Sequence, residues 1–143
     1  MTKRFLNTVP FIFKVEGTQF ENDPADPGGA TRFGIDSRSH PDVDIRNLTA
    51  DQARAIYWSD YWQKNNCESL SYPLGECFFD ICVNNGRARA DKLMRISGNA
   101  SALLRNRDDF YRRLAAANPA MNRFLKGWLN RDNELRKRLG IGL

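Results

Sequence analysis

The 143-residue sequence predicts one mainly α domain, a helical bundle with one small β-hairpin or sheet beside its first helix. Three observations lead there. Apolar residues recur at helical spacing along most of the chain. Only the stretch from Thr18 to Asp36 is too rich in Pro, Gly and Asp to be helical. Start and stop signals, namely Thr49 with Gln52, Asn85-Gly86 and Asn118-Pro119, divide the remainder into separate helices. At 41% hydrophobic residues, the chain can bury a core and does not read as disordered.

Taken in order, Phe5, Leu6, Val9, Ile12, Phe13 and Val15 form the stripe of a first helix. Pro10 either sits in its first turn or kinks it, and Gly17 stops it. Thr18–Asp36 reads as a short hairpin with ordered turns. Thr49 opens the next helix with a capping box, Thr-Ala-Asp-Gln, and Tyr57, Trp58, Tyr61 and Trp62 crowd its end. Phe78, Ile81 and Cys82 mark a buried helix that Asn85-Gly86 ends. Arg87 to Ile96 resumes a helix until Gly98. Ala100 to Ala117 is a further helix, with Leu103, Leu104, Phe110, Tyr111 and Leu114 on its buried side. After Asn118, Pro119 suits a first helical position. Met121, Phe124, Leu125, Trp128 and Leu129 then make the expected buried stripe of the last helix, with Trp128 in the core.

Composition removes several classes of function. No apolar run approaches a membrane span. Lys3 and Arg4 before apolar residues imitate a secretory leader, but Asn7, Thr8, Pro10 and Lys14 interrupt it and no small-residue cleavage site follows. Three widely spaced cysteines, Cys67, Cys77 and Cys82, make a poor disulfide framework and suit a chain made in a reducing cytoplasm. His40 is the only histidine, so zinc hydrolysis and histidine-based triads are not expected, and neither is a metal or cofactor. Charge is uneven. Residues 1–86 carry 8 Lys/Arg against 12 Asp/Glu, net −4, and residues 87–143 carry 14 against 5, net +9. The second part is drawn to a polyanion, or is simply a solvated helix face.

The chemistry concentrates between Glu16 and Ile35. Glu16 ends the first apolar stripe directly after Phe13 and Val15, where partial desolvation keeps a carboxyl protonated. Asp23 and Asp26 sit in a segment stiffened by Pro24, Pro27, Gly28 and Gly29, a polar setting in which a carboxylate stays ionised. One drier and one wetter carboxyl are what cleavage of a glycosidic bond requires: an acid for the leaving oxygen, and a carboxylate to stabilise the oxocarbenium-like state, attack it or activate water. The same residues also make ordinary Asp-Pro and Gly-Gly turns. An EF-hand lacks its repeated acidic ligands here, and a phosphate loop lacks its Gly-Lys-Ser/Thr. Tyr57, Tyr61 and Trp62 offer faces for a sugar, and Asn84 and Asn85 offer hydrogen bonds to N-acetyl or hydroxyl groups.

The pattern E-G-x-x-x-x-N-D-P-x-D-P-G-G-x-T-x-x-G-I resembles the opening signature of the phage and bacterial N-acetylmuramidases of glycoside hydrolase family 108. The likeness continues through Pro41–Thr49, Ala55–Trp62, Phe79–Gly86, Phe110–Pro119 and Arg123–Arg131, so it covers nearly the whole chain. The resemblance implies an α+β lysozyme-like fold across residues 1–143 and cleavage of the β-1,4 bond between N-acetylmuramic acid and N-acetylglucosamine. It implies Glu16 as general acid, Asp26 as the second carboxylate with Asp23 as the neighbouring alternative, and Thr31, fifteen residues after Glu16, orienting the water or that carboxylate. Substrate contacts fall to Asp23, Tyr61, Trp62, Asn84 and Asn85. Two positions depart from the family pattern. Thr18 stands where a second glycine is usual, and only Ser97 to Ser101 remains of a segment that resembles a peptidoglycan-binding element.

The expected partner is therefore bacterial peptidoglycan, with no specific nucleic acid. A protein made in a host cytoplasm and acting at the wall or periplasm fits, either as a free phage endolysin or as a virion component beside tail or ejection proteins. The rival is a catalytically inactive virion protein that keeps the fold. A basic nucleic-acid binder is a second rival, without a recognised motif behind it.

Overall fold

The computed structural model describes residues 1–25 and 27–142. They form two compact units, Met1–Lys64 and Asn65–Leu143.

In the first unit, α1 (Lys3–Glu16) begins at Thr2, whose hydroxyl accepts the Phe5 amide at 3.3 Å. Pro10 lies inside α1 rather than in its first turn. It costs the helix one N–H bond, but Pro10 and Leu6, whose carbonyl is freed, are both exposed, so water can take that carbonyl. Phe5, Val9, Phe11 and Ile12 face inward, and Phe5 packs edge-on against Trp58 and Trp62. Gly17 ends α1 at φ +84°, donating its amide to the Phe13 carbonyl at 2.9 Å. Thr18 therefore keeps an ordinary φ: the only non-glycine residues at positive φ among those described are Phe33 and Asn66.

The hairpin has the expected place. β1 (Thr31–Arg32) and β2 (Ile35–Asp36) pair antiparallel, Thr31 opposite Asp36 and Arg32 opposite Ile35, and Glu21 bridges to Thr31 on the other edge. The two-residue turn is Phe33-Gly34, both at positive φ, which matches the twist of a tight hairpin. α2 (Ala50–Ile56) carries the full capping box: the Gln52 amide donates to the Thr49 hydroxyl and the Gln52 side-chain oxygen accepts the Thr49 amide. It then runs into a π-helical stretch, Tyr57–Gln63.

The second unit contains a short 3₁₀ turn (Cys67–Ser69) and the helices α3 (Leu74–Asn85), α4 (Arg87–Arg95), α5 (Ala100–Ala117) and α6 (Asn122–Leu139). Asn99 caps α5 by accepting the Ala102 amide at 2.8 Å. Pro119 opens a 3₁₀ turn, Pro119–Met121, before α6. Cys77, Phe79, Ile81, Leu103, Leu104 and Leu135 are fully buried, and all three cysteines lie within the core outside any disulfide.

The last helix differs from expectation. Its buried positions are Asp132, Leu135 and Arg136, while Phe124 is 41% exposed and Trp128 is half-buried, stacked between Tyr111 and Phe124. The reason is a polar interior. Arg107 on α5 is wholly buried and bonds Asp80 on α3 at 2.7 Å and Asp132 on α6 at 2.9 Å. Arg131 adds a second guanidinium to Asp80, and Arg136 pairs with Asp108. Ion pairs thus turn a polar stripe of α6 inward. No described helix is long and apolar enough to cross a membrane.

Candidate active site

Glu16, the last residue of α1, is half-buried on the wall of an open cleft of about 390 Å³ in the first unit. The hairpin supplies the facing wall with Thr31, Arg32, Gly34 and Asp36, and Glu21 closes the edge where it bridges to Thr31. The helix brings the Glu16 stem against the hairpin turn. A Cβ placed on Gly34 would fall 2.8 Å from both Cβ and Cγ of Glu16 and 2.5 Å from the Tyr57 hydroxyl. Only glycine fits there, both for the contact and for its φ of +77°.

The turn itself is pinned. The Tyr57 hydroxyl donates to the Phe33 carbonyl at 2.6 Å in the interior, and the Phe33 ring packs on Phe13 at 5.1 Å. Asp36 lies directly across the hairpin from Thr31, and one of its carboxylate oxygens accepts the Ser39 amide at 2.7 Å. Arg32 carries the positive charge of the cleft, and its guanidinium donates to the Arg46 carbonyl at 2.8 Å. Tyr61 stands close enough to feel the acidic groups. Burial pushes its hydroxyl above the ordinary range, and the charges of Asp36, Asp60 and Glu16 push it further.

Of the residues expected to act, Glu16 and Thr31 line one cleft and Tyr61 lies within its field. Asp23 is exposed and accepts the Ala25 amide at 2.9 Å, as a turn-forming Asp does. Asp26 lies outside the described residues. Trp62 offers no open face for a sugar: it is 1% exposed, with Phe5 against its ring and Arg4 over it. Its place is the core, because the apolar side of α1 closes on it. Asn84 and Asn85 belong to the second unit. The Asn84 amide is exposed and donates to the Tyr111 hydroxyl at 2.8 Å, whereas the Asn85 oxygen accepts from Arg107 at 3.0 Å and from Tyr111 at 3.2 Å.

Asp36 emerges only from the structure, and so do the roles of Gly34 and of Tyr57, which is fully buried and offers no face to a sugar. A signal for the first was present. Phe33-Gly34 as a two-residue turn sets Thr31 opposite Asp36. Nothing local marks Tyr57, whose bond spans 24 residues.

A half-shielded carboxyl facing a carboxylate and a hydroxyl across an open cleft suits acid–base cleavage of a bond within a polymer that can lie along the cleft. Among the described residues no group of His, Cys, Asp and Glu is arranged to hold a metal ion. The family model described as Glycosyl hydrolase 108 matches residues 9–86, which run from within α1 through the hairpin, α2 and the π-helical stretch to the end of α3. The structure of Brucella abortus SagA superposes with a TM-score of 0.74 at 25% sequence identity, covering 94% of this chain and 92% of that one. No curated protein matches the chain.

Proposed function

The chain belongs to the glycosyl hydrolase 108 family, and from that premise we propose that it hydrolyses peptidoglycan at the β-1,4 bond between N-acetylmuramic acid and N-acetylglucosamine. The observation that carries this reading is the shared cleft: Glu16 at the helix end and Thr31 on the hairpin open onto the same space, with Asp36 opposite Thr31. Glu16 protonates the leaving oxygen, and Thr31 orients the attacking water or the second carboxylate. Two residues compete for that second role. Asp26 holds it by resemblance to the family signature, and Asp36 by its place in the cleft. Asp26→Asn and Asp36→Asn decide between them, since the true partner's variant falls nearly as far as Glu16→Gln. Tyr61 is the proposed sugar contact in this unit, supported by its partly exposed ring and by the charges of Asp36 and Glu16 that reach its hydroxyl.

The whole chain is taken to work as one lysozyme-like domain, a reading supported by the 94% of it that superposes on SagA. Its proposed setting is the bacterial wall, reached as a phage endolysin or as a virion-associated lysozyme. Release of muropeptides from purified sacculi by wild type, beside Glu16→Gln, tests the activity. Reducing-end analysis of the products identifies the bond. Equal and negligible release by both proteins rejects the enzyme and leaves an inactive virion protein that retains the fold.

A further inference from the structure

We propose that Tyr57 is a positioning residue for Glu16, acting through the Phe33-Gly34 turn and not through contact with substrate. The inference rests on the reading of Glu16 as the general acid. Tyr57 is fully buried, so its hydroxyl does not reach the cleft. It reaches the turn instead, donating to the Phe33 carbonyl at 2.6 Å. Gly34, the next residue, lies between that hydroxyl and the aliphatic stem of Glu16. A single methyl group there would collide with both. The Glu16 carboxyl thus takes its position from a backstop of backbone, and Tyr57 holds that backstop in place.

The turn needs such a hold. Phe33 has φ +55°, a region unfavourable to a bulky side chain, which persists only where neighbours over-determine it. Two contacts do so. The ring is held by Phe13 and the carbonyl by Tyr57. Tyr57 also opens the π-helical stretch Tyr57–Gln63, and its ring lies 5.4 Å from that of Tyr61, which feels Glu16 and Asp36. Such π-helical turns occur frequently at functional sites. The stretch therefore sends one tyrosine beneath the catalytic turn and packs a second against that tyrosine's ring. A phenylalanine would fill the same core volume, so the hydroxyl is what the site uses.

The test is Tyr57→Phe, which keeps the ring and removes the hydroxyl's bond to the Phe33 carbonyl. Ile45→Val, a buried change in the same unit, serves as the control for lost packing. On a soluble glycan substrate, Tyr57→Phe lowers kcat about tenfold with KM within twofold of wild type, because misplacing a catalytic group slows the chemical step more than it weakens binding. Its pH–rate profile shifts as the surroundings of Glu16 change, while Ile45→Val leaves both kcat and profile intact. Gly34→Ala attacks the same backstop from the other side and lowers kcat further. Wild-type kcat and profile in Tyr57→Phe, or equal losses in Tyr57→Phe and Ile45→Val, overturn the inference alone. Activity in Glu16→Gln overturns the reading of Glu16 and this inference with it.

Discussion

In the first unit, Glu16, Glu21 and Asp36 line an open cleft with Arg32 among them. In the second, Asp80, Asp108 and Asp132 are buried against Arg131, Arg136 and Arg107. The same residue type thus stands in two environments. Asp80 shows the closed one most clearly. Burial alone pushes its carboxyl up, yet Arg131 and Arg107 outweigh burial and hold it below the usual carboxylate range. Such a group is fixed in one charge state and cannot exchange protons with a substrate. The cleft carboxylates meet water and are held by backbone: Glu16 by the Gly34 turn, Asp36 by the Ser39 amide. A carboxylate that must react is placed by geometry and left open. One that must hold helices together is neutralised by a guanidinium.

The largest effect expected from breaking this contrast is in the cleft. Glu16→Gln removes the proton donor and keeps the shape, so kcat falls about 10²- to 10⁴-fold, the usual contribution of a general acid. Thermal unfolding measured on the same protein stays nearly unchanged. A variant as active as wild type places the chemistry elsewhere.

Arg107→Met reverses the pattern. It leaves the Asp80 carboxylate with one guanidinium fewer and Asp132 without its Arg107 partner, and the Asn85 oxygen loses its 3.0 Å bond. Removing one partner from a buried ionic cluster costs about 3–5 kcal/mol, read as a lower urea midpoint with an unchanged slope. Cleavage per folded molecule remains close to wild type. A loss of rate without a loss of stability would show that the buried cluster serves the reaction.

Asp36→Asn sharpens the comparison within the cleft. If Asp36 assists Glu16 only by its field, kcat falls about tenfold with no change in the unfolding midpoint, whereas a drop approaching that of Glu16→Gln makes Asp36 the second carboxylate. Kinetics on sacculi beside Asp26→Asn separate the outcomes.

Much of this contrast was legible in the sequence, and the missing part has a physical cause. Thr49 with Gln52, Gly17 after Glu16, and Ala100–Ala117 were readable because caps and periodicity are local. The first half of the site was readable for the same reason, since Glu16 ends a helix and Thr31 follows a turn-rich segment. The buried face of α6 was not. A hydrophobic stripe points to Trp128 and Phe124, but Asp132 and Arg136 turn inward because Arg107 and Asp108, more than twenty residues away, neutralise them. Trp62 was misplaced for the complementary reason. The partners that bury it, Phe5 and Arg4, lie on α1. Long-range pairing decides such positions, and no window of sequence contains both partners.

The narrowest expected effect, confined to stability at raised pH, concerns the one acid of the buried cluster that does not follow Asp80. Asp132 shares Arg107 but lacks an equivalent of Arg131. Burial pushes its carboxyl up to about 8 against the pull of Arg107, and neighbouring Asp108 and Asp80 add to the rise. The folded chain therefore holds this proton more tightly than the unfolded chain does. The stability it confers is complete below about pH 4, the ordinary range for Asp, and is lost as pH rises through about 8. Asp132→Asn keeps an oxygen for Arg107 and cannot ionise. Its unfolding midpoint should coincide with wild type at pH 4 and exceed it by a growing margin as pH rises towards 8. Parallel curves across that range would mean that Asp132 is ionised like Asp80, and that the buried cluster holds all its carboxylates charged.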